Sequence, residues 1–232
     1  MTLQYGILHN AKTAGSALFD VIRQCKERGS LTNVHVFGHH MTLPRFVSDH
    51  PDAKAIFFIR DPISRFISGF YSRLRQGQPR YYFPWSNKEK QAFKQFQTPN
   101  QLAEALSSIN LLKRRQAYIA MNSIRHVRQR YTEFLGSTEF LNQISLQIAH
   151  IGHQPDFDTD LAQLRTLLGL DEDVIPPDDD VSAHRTPKDF DRALSMLAVE
   201  NLEKWYREDY DIYRWCLTFR DAKGQASTYH SR

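Results

Sequence analysis

Near the N-terminus, Lys12-Thr13-Ala14-Gly15-Ser16 combines a cation, two hydroxyls and a glycine at the point where an apolar run gives way to a helical pattern. A turn placed between a strand and a helix converges backbone N–H groups and the helix dipole on one anion. Gly15 permits close backbone approach, Thr13 and Ser16 add hydroxyl donors, and Lys12 can follow negative charge onto a leaving oxygen. The chemistry this suits is phosphate binding, although such a turn is also compatible with a purely structural role. The order is not that of a Walker A loop, where the lysine follows the glycines, so an ordinary ATPase or GTPase is disfavoured.

A second group lies in Arg60-Asp61-Pro62-Ile63-Ser64-Arg65-Phe66-Ile67-Ser68. Arg60 closes a strongly apolar run and Ser68 falls further along the helix that follows. A guanidinium fork with a hydroxyl can fix a second phosphate. Arg60 and Asp61 could equally pair locally, with Ser68 packing as a small residue.

The elements that must position these groups follow from periodicity. Strands are expected at Leu3 to Leu8, Val34 to Phe37, Ala53 to Ile59 and Ile144 to Ile151. Helices are expected at Ser16 to Arg28, Leu43 to Ser48, from Pro62, across Leu102 to Leu135, at Thr159 to Leu168 and at Phe190 to Tyr213. Gln76 to Pro99 reads as a long excursion rich in Gly, Pro and aromatics, and Pro176 to Asp189 as a polar loop. Strands alternating with helices predict the α/β class: a single P-loop-like domain over residues 1–232, its central parallel β-sheet flanked by helices, with a substrate-facing excursion at about 76–135.

Composition constrains partners only loosely. The 30 Lys+Arg against 26 Asp+Glu give a net charge of +4, which favours anionic partners without choosing among them. Cys25 and Cys216 lack metal-ligand spacing and read as two buried thiols, and the ten histidines include no HExxH, so no metal is expected. No apolar run approaches the roughly 20 residues that span a bilayer, and no export signal is visible, so a cytoplasmic location is expected. The basic residues Lys113, Arg114, Arg115, Arg125, Arg128 and Arg130 suit either a solvated helix face or a grip on an anionic glycan.

The segment HNAKTAGSALF resembles the 5′-phosphosulfate loop of PAPS-dependent sulfotransferases, and IRDPISRFISGFY resembles their 3′-phosphate motif. The similarity is closest to the carbohydrate branch that includes heparan sulfate 2-O-sulfotransferase. It extends through IAHIGHQPDFDTDLAQLRTLLGL, AHRTPKDF and NLEKWYREDYDIY, but not through Gln76 to Leu135. Asn10-Ala11 stands where Ile-Pro is usual, and Ala17 where the family often has a hydroxyl.

That resemblance implies PAPS as donor substrate, held by Lys12, Thr13, Ala14, Gly15, Ser16 and Ala17 at the phosphosulfate and by Arg60 and Ser68 at the 3′-phosphate. It places Phe37-Gly38-His39-His40 at the family's HGH-like segment, making His39 the candidate catalytic base beside Lys12, with His40 as the fallback. A neutral imidazole suits removal of a proton from a hydroxyl, although a histidine at a strand end also commonly caps or packs. Arg185 or Lys188 would contact the 3′-phosphate. The expected reaction is in-line sulfuryl transfer to a hydroxyl-bearing acceptor, a glycan by the same resemblance, without metal or nucleic acid. The competing expectations are a P-loop-like small-molecule kinase, which would need ATP and magnesium, and a non-catalytic polyanion-binding protein.

Overall fold

The structure, a computed structural model, describes residues 3–29, 31–176 and 190–229, with residues 225–229 described by backbone alone. Chain contacts divide it into two compact units: one built from Met1–Arg60, Tyr131–Pro177 and Glu208–Arg232, the other from Asp61–Arg130 and Asp178–Arg207.

The first unit holds the sheet. Strands β1 (Tyr5–Leu8), β2 (Val34–Phe37), β3 (Lys54–Ile59) and β4 (Ile148–His153) run parallel in the order β2-β1-β3-β4. β3 is central and buried on both faces, hence its continuous Ala55-Ile56-Phe57-Phe58-Ile59 run. Its side chains alternate between two cores. Ile56 and Phe58 join Ile7, α1 (Gly15–Glu27) through Leu18, Val21 and Ile22, and α9 (Phe157–Leu168) through Leu161 and Leu164. Ala55, Phe57 and Ile59 join α2 (Leu43–Asp49), α7 (Tyr131–Leu135), α8 (Thr138–Gln143) and α11 (Arg207–Tyr229). Helices thus cover both faces of a parallel sheet, as the strand and helix alternation predicts.

Cys25 and Cys216 are both buried thiols outside any disulfide, one in each core, and burial pushes the Cys216 thiol well up. Gly6 lies under the Phe46 ring, where an added Cβ would sit 2.1 Å from Cε2.

The second unit is helical: α3 (Pro62–Leu74), α4 (Asn87–Gln95), α5 (Pro99–Ala105), α6 (Leu111–Ser123) and α10 (Met196–Trp205). At its centre, the buried Arg73 guanidinium meets Glu89 at 2.7 and 3.1 Å and also donates to the carbonyls of Phe83 and Pro84. Trp85 Nε1 donates back to the Arg73 carbonyl at 2.6 Å. The excursion after Gln76 is therefore strapped onto its own unit. Burial alone would raise the Glu89 carboxyl, but Arg73 and the N–H groups of Ser86 and Arg125 hold it below its ordinary value.

Several boundaries differ from the sequence reading. α4 interrupts the expected excursion, started by a capping box in which Ser86 and Glu89 satisfy each other's backbone N–H. The span Leu102 to Leu135 is broken into separate helices by Asn110, which caps α6, and by Ile124, where α6 ends in extended backbone. Ile144 to Gln147 form the end of α8 and a short 3-10 turn, so β4 starts at Ile148. Phe190 to Tyr213 divides at Tyr206, and α10 begins only after its Ser195 cap.

Candidate active site

The carboxyl ends of β1 and β3 carry the loop and the arginine singled out from the sequence. In parallel α/β sheets that edge is where ligands bind. After Leu8 the chain passes through His9 and Asn10 into a turn in which Lys12 and Ala14, neither a glycine, take the left-handed conformation with φ of 68° and 73°. Each such residue costs about 1–3 kcal/mol and persists only where the surroundings enforce it. Alternating handedness turns successive N–H groups toward one concavity, a geometry suited to an anion.

The turn leads directly into α1, whose N-cap Ala14 offers no side-chain bond to the first-turn N–H groups. α3 differs: the Asp61 carboxylate caps it by accepting from Ser64 N at 2.7 Å. The first turn of α1 is therefore uncapped by any side chain, whereas the start of α3 already carries an anion. Thr13 is buried and its hydroxyl donates to the Asn10 carbonyl at 2.9 Å, so it braces the turn. Asn10 is also buried, and its Nδ2 has no hydrogen-bond partner among the described residues.

Arg60 follows β3 directly. The buried Tyr131 hydroxyl clamps its backbone, accepting from Arg60 N at 2.8 Å and donating to Arg60 O at 2.6 Å. Tyr131 is held in turn by its own N–H, which donates to Asp209 at 3.1 Å. From this fixed base Arg60 Nη1 reaches the Lys12 carbonyl at 3.4 Å. The structure thus brings Arg60 to the Lys12 turn.

His39 comes to the same turn from β2. Its Nδ1 lies 3.3 Å from the His9 carbonyl, and the two imidazoles stack with centroids 3.8 Å apart. A carbonyl only accepts, so Nδ1 carries a proton, and in a neutral ring Nε2 is then the nitrogen with the lone pair. His9 packs edge-on against Phe19 of α1 and lies over Gly15, where a Cβ would sit 2.9 Å from His9 Cδ2. His9 and Tyr131 are the participants that sequence reasoning missed. His9 stands inside the recognised motif, whereas Tyr131, 71 residues from its partner, gives no local signal.

Of the remaining expected residues, Ser16 and Ala17 form the first turn of α1. Ser68 belongs to the second unit, buried within α3. His40 is exposed. Arg185 and Lys188 lie outside the described residues.

The sequence profile of the sulfotransferase family matches residues 18–215. The chain belongs to that family. Neither a search of curated proteins nor one of solved structures finds a match. This sulfotransferase is accordingly a transferase that moves a sulfuryl group. The match begins at Leu18, so the Lys12 turn stands on its own geometry, while His39, Arg60 and Ser68 fall inside it. Among the described residues no group of three or more His, Cys, Asp or Glu side chains could hold a metal ion, and no helix is long and apolar enough to cross a membrane.

The sulfotransferase carries a second polar network at the end of β4. Asp160 is buried, accepting from His153 N at 2.6 Å and from Arg220 Nη1 at 2.8 and 3.0 Å, with His150 Nε2 at 3.1 Å. Burial alone would raise its carboxyl, but these bonds together hold it below its ordinary value. The network fastens α9 and α11 to β4.

Proposed function

We propose that the protein transfers the sulfuryl group of PAPS to a hydroxyl of a carbohydrate acceptor, with Lys12 and His39 as its catalytic residues. The observation that carries this reading is the strained, uncapped Lys12–Ser16 turn with an oriented imidazole beside it. The N–H groups of Thr13 to Ser16 and the Lys12 ammonium suit the 5′-phosphosulfate, whereas the Ala17 N–H already donates to the Ala14 carbonyl at 3.2 Å. Arg60 suits the 3′-phosphate, to which the resemblance also assigns Ser68. The glycan class rests on the resemblance of Phe37-Gly38-His39 to the carbohydrate branch.

On this reading the acceptor hydroxyl attacks sulfur in line. His39 Nε2 takes the hydroxyl proton as the new S–O bond forms. The bond between sulfur and the bridging phosphate oxygen breaks, and its electron pair goes to the phosphate. Lys12 and the turn N–H groups stabilise that charge, leaving 3′,5′-bisphosphoadenosine and the sulfated acceptor.

Calorimetric titration with 3′,5′-bisphosphoadenosine, ADP and ATP tests the assignment. Selective binding of the bisphosphate, weakened in Lys12→Ala and Arg60→Ala, is expected. Turnover of PAPS should fall ~100-fold or more in Lys12→Ala, the scale of one lost leaving-group donor. Equal or tighter ATP binding, or unchanged turnover in folded Lys12→Ala, overturns the proposal.

A further inference from the structure

We propose that the start of α6, in the second unit, is a docking surface for an anionic lipid bilayer. Ile109, Leu111 and Leu112 are 97%, 68% and 66% exposed, an unusual concentration of large aliphatic side chains within four residues. Lys113, Arg114 and Arg115 follow at once and are also exposed. No ion pair engages these three cations among the described residues.

The segment is ordered rather than frayed. Asn110 caps α6 by accepting from Leu112 N at 3.0 Å and Lys113 N at 3.1 Å. Burial of the helix starts only at Ala117. Tyr118 and Ile119 extend the exposed strip by two more turns, with Leu111, Arg115 and Tyr118 at i, i+4 and i+7 and Leu112 and Ile119 at i and i+7.

Charge selects the occupant. From Ala105 to Thr132 the chain has six Lys or Arg and no Asp or Glu. Two of the six are engaged internally: Arg125 lies over the Phe83 ring, and Arg130 stacks on Trp205 and Tyr206. Arg114 and Arg115 lie three and four residues after Leu111 and so share its side of the helix, and the other two cations, Lys113 and Arg128, are also exposed. A soluble anionic glycan would satisfy the cations but leave the aliphatic side chains in water. A second copy of the chain would bring an equally basic strip against this one. A bilayer with anionic headgroups satisfies both, taking the aliphatic groups below the headgroups and the cations at their level.

Cosedimentation of the full chain with vesicles tests this independently of sulfuryl transfer. Binding is expected to phosphatidylcholine vesicles containing about one-third phosphatidylglycerol, with weakening by salt and little binding to phosphatidylcholine alone. Lys113→Glu/Arg114→Glu/Arg115→Glu should reduce partitioning about a hundredfold or more, on the scale of three basic side chains at such a surface. Ile109→Ser/Leu111→Ser/Leu112→Ser should also abolish it, with an unchanged thermal melt because the replaced groups are exposed. No binding to anionic vesicles, or binding that the aliphatic triple variant leaves intact, overturns the proposal. A dimer in sedimentation velocity that this variant dissolves, without vesicle binding, assigns the surface to a second copy instead.

Discussion

The imidazoles of His9 and His39 stack 3.8 Å apart while the Nδ1–H of His39 donates to the main-chain oxygen of His9 at 3.3 Å. One residue thereby sets both the ring plane and the tautomer of the other. His9 is fixed because it also rests on Gly15 and Phe19, at the start of the helix that follows the Lys12 turn. The proposed base and the proposed phosphosulfate loop share one support.

His39→Ala should lower kcat by about 10²–10⁴-fold, the usual contribution of a positioned general base, and leave affinity for 3′,5′-bisphosphoadenosine unchanged. His40→Ala should keep wild-type turnover, since no hydrogen bond or ring contact ties His40 to the turn. Steady-state kinetics with PAPS and a calorimetric control decide between the two histidines. Loss confined to His40→Ala would move the base by one residue.

Replacing His9 separates its ring from its carbonyl, because the backbone bond to His39 survives substitution. His9→Phe keeps a flat ring over Gly15 and should retain most of the turnover. His9→Ala should lose kcat about tenfold, with KM for PAPS little changed, as expected when a base is loosened but still present. Equal losses in both variants would show that the imidazole itself takes part in the reaction.

Much of this arrangement was legible in the sequence where the signal was local. The apolar Ala53–Ile59 run reads as a buried strand and Pro62 suits a first helical turn, so β3 and the start of α3 were placed to within a residue, whereas the Asp61 cap emerged only from the structure. α4 was obscured although Ser86-x-x-Glu89 is a capping box, because Gly, Pro and aromatic neighbours weighed toward a loop. Glu89 was harder still: its buried role is set by Arg73, 16 residues earlier, and a carboxylate on a helix reads as solvated by default. The clamp of Tyr131 on Arg60 and the meeting of His9 with His39 join residues from different strands and helices. Such pairs are fixed by topology, which no short window of sequence encodes.

Tyr131→Phe removes a single oxygen that satisfies both backbone groups of Arg60 at the end of β3. Leaving that N–H and C=O without their partner should cost about 1–3 kcal/mol, read as a lower midpoint in urea with an unchanged slope. The loosened strand end should also weaken bisphosphate binding by about tenfold, or 1.4 kcal/mol, because Arg60 no longer starts from a fixed point. Lost stability with intact affinity would separate the clamp from the donor site.

Asp160 supplies a prediction in pH. Its carboxyl is held below the ordinary value by His150, the His153 N–H and Arg220 against an opposing burial effect. A depressed acid adds stability that is fully present above its unfolded value of about 3.9 and is lost as pH falls through the lower folded value. At neutral pH Asp160→Asn should therefore cost about 3 kcal/mol, since Arg220 is left without its buried anion. The difference between the two proteins should shrink below about pH 4, where this carboxyl takes up a proton in the unfolded wild-type chain before it does in the folded one. Urea unfolding of both proteins across that range measures it. A difference that stays constant into acid would mean that Asp160 acts through its shape and hydrogen bonds alone, and that its charge does nothing for the hold of α9 and α11 on β4.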